Sequence, residues 1–291
     1  MWRDSMQKIW ICGANGQIGR AINKEVNKLE YELLDTDIDD LDITQTDEVV
    51  RFGEMNRPDV IINCAGMTDV ALCEENPAQA FRVNALGARN LSIAAKKLEA
   101  KFVQISTDDV FDGKSTAPYN EFDSTNPGTV YGRSKLAGEN YVKEFNYKHF
   151  IIRSTWVYGE GDNFVLDFLK KVETKESLSI ASDQFGSPTS ASELARFLIH
   201  LIHTGEYGTY HATNQGICSR YEFAKEILRL TGKEAEMSPV PTNMSDFSKV
   251  RPAFAVLDNF ILSMVDVYQF PKWQDSLREY LEERGMLFER Y

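Results

Sequence analysis

Short apolar runs and longer amphipathic stretches alternate through the first half of the chain. Ile9-Trp-Ile-Cys12, Glu32-Leu-Leu34, Val60-Ile-Ile-Asn63, Phe102-Val-Gln-Ile105 and Phe150-Ile-Ile-Arg153 each read as a strand. Between them, Gln17 to Lys28, Asp47 to Met55, Ala78 to Leu98 and Tyr131 to Phe145 carry the period of helices with one apolar face. Strands alternating with helices of about ten residues or more predict an α/β fold of parallel βαβ units under right-handed crossovers. After about Trp156 the rhythm loosens. Helical stretches near 163–173, 192–204 and 219–231 are separated by loops such as Asp183-Gln-Phe-Gly-Ser-Pro188, and Pro239, Pro241 and Pro252 punctuate an irregular stretch. A last amphipathic helix is expected from Trp273 to Arg284. The pattern divides the chain into a first domain over residues 1–155, to which later segments return, and a smaller second domain over 156–291.

Composition narrows the partners. The 291 residues are 43% hydrophobic, enough for a full-sized core, and carry 32 basic against 44 acidic side chains for a net charge of −12. A field of that sign argues against nucleic acid and anionic membrane surfaces, so an anionic substrate must be held by a few local donors. No apolar run approaches the ~20 residues of a membrane span, and Met1 to Met6 does not read as a signal peptide. Cysteines at 12, 64, 73 and 218 show no metal-binding spacing, nor do histidines at 149, 200, 203 and 211. No metal site is assigned, and a reducing, cytoplasmic setting is expected.

Three constellations carry chemistry. Gly13-Ala-Asn15-Gly16-Gln17-Ile18-Gly19 follows the first strand and opens a helix. Glycines there let the backbone approach a pyrophosphate, and the helix start supplies free N–H groups. An acid accepting from a ribose hydroxyl is expected after the second strand, where Asp35 and Asp37 both qualify. Asn63-Cys64-Ala65-Gly66 ends the third strand with small residues across which a dinucleotide could lie. Tyr131 and Lys135, at i and i+4, share a helix face. A free tyrosine titrates near pKa ~10, and an ammonium beside it lowers that value towards a usable acid/base. Thr107, in Ser106-Thr-Asp-Asp109, ends the fourth strand where its hydroxyl can polarise a substrate carbonyl together with Tyr131.

Together these residues resemble the extended short-chain dehydrogenases/reductases, and more narrowly the dTDP-4-dehydrorhamnose reductase family. The likeness runs from about Lys8 to Leu281 and includes "GANGQIG" (13–19), "RPDVIINCAG" (57–66), "ISTDDVFDG" (105–113), "VYGRSKLAGEN" (130–140), "RSTWVYGEGDNF" (153–164) and "DQFGSPT" (183–189). The resemblance implies a Rossmann-type doubly wound parallel sheet binding NADPH or NADH, and a smaller C-terminal domain gripping a nucleotide-sugar. It implies a catalytic set of Thr107, Tyr131 and Lys135. For the cofactor it implies Gly13, Asn15, Gly16, Gln17, Ile18, Asp37, Asp42, Ile43, Cys64, Ala65, Gly66 and Asn84, together with Tyr131 and Lys135. For the sugar it implies Thr68, Asp108, Asp109, Trp156 and Arg251, the last near the diphosphate. A homodimer is compatible with it, and a Mg²⁺ at a dimer contact occurs in some relatives, but no residues can be assigned to such an ion.

The chain departs from the family at two places. Asp109 stands where the branch usually has tyrosine, and Gly66-Met67-Thr68 replaces the usual segment after the third strand. Either the family tolerates both changes and the sugar is unchanged, or Asp109 accepts from an additional sugar hydroxyl and shifts the sugar taken. Two alternatives stay open: a non-catalytic dinucleotide-binding regulatory subunit, and a reductase or epimerase of another nucleotide-sugar.

Overall fold

A computed structural model describes residues 6–174, 177–245, 252–265 and 267–288. Chain order begins β1 (Gln7–Cys12), α1 (Gln17–Glu25), β2 (Tyr31–Thr36), α2 (Thr46–Asn56) and β3 (Val60–Asn63). It continues with α3 (Val70–Glu75), α4 (Pro77–Phe81), a π-helical turn (Arg82–Gly87), α5 (Ala88–Leu98), β4 (Lys101–Thr107), α6 (Val130–Phe145) and β5 (His149–Ser154). The strands line up as β2-β1-β3-β4-β5, and strand Gly208–His211 extends the sheet beyond β5. Every pairing in this six-stranded sheet is parallel. A buried strand needs apolar residues on both faces, and β1, β3 and β4 have them.

Each face of the sheet is covered. Ile9, Ile11, Ile62 and Val103 pack with Ile22 of α1 and with Leu194 and Leu198 of helix Ala191–Leu201. Trp10, Ile61 and Phe102 pack with Val49 of α2, Leu91 of α5 and Val142 of α6. That is a doubly wound α/β fold of the Rossmann type. Its strand order turns back at β1, and in such sheets ligands bind at the carboxyl ends of the strands around that point.

The helix expected from Ala78 to Leu98 is instead α4, the π turn and α5 in succession. Pro77 starts α4 because its missing N–H is no loss in a first helical turn. The expected helix from Gln17 stops at Glu25, where Val26 is extended, rather than at Lys28.

The second half builds its own core. Helices Phe164–Thr174, Arg220–Thr231 and Trp273–Glu282 enclose Phe168, Leu178, Ile180, Phe223, Ile227 and Leu277. Strands Ser177–Ala181 and Glu236–Val240 pair in parallel beside them. Ser219 and Glu222 form a reciprocal capping box at the start of helix Arg220–Thr231. Arg196 ties this half to the sheet, reaching Glu25 of α1 at 3.1 Å and Glu279 of the last helix.

Two glycines let α6 seat closely. A Cβ at Gly138 would lie 2.4 Å from the Asn84 carbonyl oxygen, and one at Gly132 would lie 2.0 Å from that of Asp109. Gly138→Ala is therefore expected to lower stability by about 1–3 kcal/mol through overpacking. The check is a lower midpoint in urea unfolding at unchanged slope; an unchanged midpoint would show that the contact tolerates a methyl group.

Candidate active site

The glycine loop is bound tightly to the strand ends beside it. Gly13 has φ +76°, and its N–H donates to the Thr36 carbonyl at 2.8 Å. A Cβ at Gly13 would stand 2.6 Å from the Ala65 nitrogen, and one at Gly19 would stand 2.5 Å from the Gly13 carbonyl oxygen. Only glycine satisfies both positions. Gly16 caps α1 without a side-chain hydrogen bond, so the first helical N–H groups face the cleft. These features fit a dinucleotide pyrophosphate. Asp37 binds the loop directly: its carboxylate accepts from the Asn15 N–H at 2.9 Å and from Ile38 at 2.8 Å. Arg20 closes the far side, donating to the Asn15 carbonyl at 2.8 Å and to Glu160 at 3.0 Å.

A cleft of about 950 Å³ runs from this loop into the second half of the chain. Gly16, Gln17, Ile18, Cys64, Gly66, Thr68, Thr107, Asp108, Tyr131 and Trp156 all line it. It has the volume of a site that takes sizeable ligands. The Thr107 side chain caps the 3₁₀ turn Asp108–Val110, accepting from the Asp109 N–H at 3.2 Å, and its hydroxyl donates to the Asp108 carboxylate at 3.1 Å. Thr129 caps α6 and so fixes where Tyr131 enters the cleft.

Lys135 lies beneath that wall rather than on it. Its Nζ donates to the Ile105 carbonyl at 2.6 Å, and burial pulls its pKa down to about 8, with Glu139 and Cys64 acting in the opposite direction. Asn84 supports the same corner from the π turn. Its side-chain carbonyl accepts from the Met67 N–H at 2.8 Å, and its amide donates to the Met67 carbonyl at 3.0 Å and to Ser134 at 2.9 Å. Ser134 in turn donates to the Tyr131 carbonyl at 2.8 Å. Isolated π turns recur at functional sites, and here the turn brings Asn84 to the chain leaving β3.

Several expected residues sit elsewhere. Gly13 and Ala65 meet beneath the loop, and Ile43 is buried against Gly87. Asn15, Asp37 and Asp42 lie outside the cleft, Asp42 accepting from the Thr44 N–H at 2.9 Å. Asp109 corrects the expectation of a sugar contact. It is 1% exposed, and the 3₁₀ turn that presents Asp108 to the cleft carries Asp109 inward against α6 at Gly132. Met67 packs beside Val70, Cys73 and Tyr131 instead of lining the cleft. Arg251 falls outside the described residues.

Sequence reasoning missed the basic side of the cleft. Lys170, Lys171 and Arg220 line it, and the Arg220 guanidinium lies 3.5 Å from the centre of the Trp156 ring and 4.9 Å from that of Phe164. Trp156 itself holds φ +47°, a conformation rare for a bulky residue. Lys170 and Lys171 read as an ordinary solvated helix face, and no local spacing links either to Arg220. Gln184 and Asn163 also line the cleft, Asn163 donating to the Gly159 carbonyl at 2.8 Å.

A pyrophosphate cradle opening onto a buried Tyr–Lys helix face, with a threonine hydroxyl opposite, defines a nicotinamide-dependent oxidoreductase. Residues 6–286 match the family described as RmlD substrate binding domain, and the chain belongs to that family, the dTDP-4-dehydrorhamnose reductases. It is similar to the spore coat polysaccharide biosynthesis protein SpsK of Bacillus subtilis, with 37% identity over 96% of this chain and 99% of that one. Among solved structures it resembles a dTDP-4-dehydrorhamnose reductase of Clostridium acetobutylicum, with 44% identity, a TM-score of 0.93, and coverage of 96% and 100% of the two chains. It also resembles the Bacillus anthracis dTDP-4-dehydrorhamnose reductase in complex with NADP, at 38% identity, TM-score 0.93 and the same coverage.

Substituting the two cleft hydroxyls separates chemistry from binding. Tyr131→Phe is expected to lower kcat by about 10²–10⁴-fold, the usual worth of a positioned acid, with dinucleotide affinity unchanged. Thr107→Val is expected to cost about 10²–10³-fold, the usual worth of one donor to a developing oxyanion. Single-turnover rates beside dinucleotide titrations check both. Full activity in Tyr131→Phe would remove Tyr131 from the chemistry.

Proposed function

We propose that this chain reduces the C4 keto group of dTDP-4-dehydro-L-rhamnose to the alcohol of dTDP-L-rhamnose, using NADH or NADPH. The observation that carries this reading is the meeting of Thr107, Tyr131 and the glycine-loop residues Gly16 to Ile18 on one cleft, with Lys135 directly beneath. Reduced nicotinamide, when bound, supplies hydride to the carbonyl carbon. Tyr131 then gives its proton to the carbonyl oxygen, and the Lys135 ammonium makes the resulting phenolate easier to form. Thr107 polarises the carbonyl once its hydroxyl turns from Asp108 to the substrate.

The second half of the cleft suits a nucleoside diphosphate sugar. Lys170, Lys171 and Arg220 bring basic side chains to this part of the cleft, beside Asp162 and Asp167, with Lys170 3.9 Å from Asp167, and so suit a diphosphate on a protein whose overall charge is −12. Trp156, its ring stacked by Arg220 at 3.5 Å, lines the same part of the cleft. The described residues contain no helix long and apolar enough to cross a membrane. Four free cysteines fit a reducing compartment such as the cytoplasm.

Asp37 bears on which dinucleotide is favoured. An acid at the end of the second strand accepts from the 2′-hydroxyl of the adenosine ribose and repels a 2′-phosphate at the same place. Asp39 and Asp40 add to that field on the same turn. With those charges beside the adenosine ribose, NADH is expected to bind more tightly than NADPH. The experiment follows nicotinamide absorbance with enzymatically made dTDP-4-dehydro-L-rhamnose and each dinucleotide, and measures both dissociation constants by titration calorimetry. Absence of turnover with either dinucleotide would sink the substrate assignment. Equal dissociation constants would sink the role given to Asp37.

A further inference from the structure

Behind the cleft wall lies an ion pair that the reduction as described does not use. Glu139 stands one helical turn after Lys135 on α6 and is completely buried. Arg153 of β5, 3% exposed, grips it with two parallel hydrogen bonds of 2.9 and 2.7 Å. Ser106, the β4 residue before Thr107, donates to the same carboxylate at 2.6 Å. Lys143, one turn further along α6, approaches at 3.8 Å from the solvent side. One carboxylate thus joins α6 to the ends of the two strands that frame Thr107 and Trp156.

We propose that Glu139 is a positioning residue of the reduction: its carboxylate keeps the buried Lys135 side chain an ammonium and fixes α6 against β4. The inference rests on the acid–base role given to Tyr131 and Lys135 above. Burial alone would drive Lys135 towards the neutral amine, because an ammonium under the surface has lost its hydration. Glu139, buried one helical turn further along α6, acts against that loss. Cys64, at the end of β3, is held as a neutral thiol, burial pushing its pKa up to about 12. On the turn after β4, Asp108 lines the cleft and accepts from the Thr107 hydroxyl, and Asp109 beside it is buried against α6. His211, on the edge strand, is kept neutral by burial and by Arg153, its pKa pulled down to about 3.

Glu139 stays charged in this setting. Burial works against its carboxylate, but Arg153 and the Ser106 hydroxyl outweigh burial and hold its pKa below the ordinary value. Its field raises Lys135, while Arg153, bound to both carboxylate oxygens, serves to keep it ionised. The division of labour is then definite. Arg153 holds Glu139 charged, Glu139 holds Lys135 charged, and Lys135 favours the Tyr131 phenolate. Because Tyr131 and Lys135 interact, their alkaline limb belongs to the pair.

The test reads Lys135 directly and activity separately. In protein labelled with ¹³C at lysine Cε, the Lys135 resonance is assigned by its loss in Lys135→Met and titrated without ligands. Glu139→Gln is expected to move that titration down by about one pH unit, a tenfold change in the proton equilibrium. The alkaline limb of kcat should move down with it. Because Glu139→Gln leaves the Arg153 charge buried without its partner, Glu139→Gln/Arg153→Met is measured in parallel, removing both charges at similar volume. It should show the same downward direction with the fold retained. If both variants lose thermal stability while the Lys135 titration and the alkaline limb stay in place, Glu139 is structural only and the proposal is overturned. A wild-type protein with the expected Lys135 titration but no keto-sugar turnover would instead count against the proposed reaction and leave the Glu139–Lys135 link standing.

Discussion

A cationic amine carried beneath the protein surface is the constraint around which the site is arranged. Lys135 reaches the Ile105 carbonyl at 2.6 Å only because α6 lies hard against the carboxyl end of β4. That approach depends on the absence of side chains at Gly132 and Gly138, where a single Cβ would run into the Asp109 and Asn84 carbonyl oxygens. The same approach puts Tyr131 into the cleft wall and seats Ser134 against Asn84. A buried ammonium left to its hydration loss would surrender its proton, so the helix that carries it in also carries a carboxylate one turn later. Position and charge at the reacting end are thus set by one helix and the two strands beneath it.

The parts of the fold that were legible are those whose pattern has a local cause. β3 falls at Val60–Asn63 as expected, because a four-residue apolar run bounded by Pro58-Asp59 and Gly66 has little else to become. The glycine loop was legible for the same reason: its spacing follows a strand and opens a helix, and the Cβ clashes at Gly13 and Gly19 state why. The break between Ala78 and Leu98 was not legible. A π turn inserts a single residue, which barely disturbs the apolar period, yet it turns Asn84 towards the Met67 backbone. Asp109 was read from the tyrosine that usually stands there in the family. Two adjacent carboxylates look equivalent in a sequence, and only the 3₁₀ geometry sends Asp108 to the cleft and Asp109 to the interior.

The basic wall was hidden for a different reason. Lys170 and Lys171 come from helix Phe164–Thr174 and Arg220 from the first turn of another helix some fifty residues on. Nothing local distinguishes them from the other charges of an acidic protein. Only the packing of Phe168, Phe223 and Ile180 into one core turns them towards a common space. The catalytic end of the cleft, by contrast, is built within β4 and α6, where spacing along the chain maps directly onto proximity. A reader of the sequence therefore sees the chemistry before the specificity.

Trp156 marks where the two kinds of construction meet. It follows directly after β5, and its φ of +47° is a conformation that costs a bulky side chain of order 1–3 kcal/mol. The surroundings hold it there. Gly186 comes so close that an added Cβ would sit 2.6 Å from the indole ring, Arg220 covers a ring face at 3.5 Å, and the Thr189 N–H donates to the Trp156 carbonyl at 3.3 Å. Those partners come from the second half of the chain, whereas Ser154, two residues before Trp156, ends β5 and pairs with Thr107 in the sheet. The strained residue is thus fixed from one half of the chain and anchored in the other.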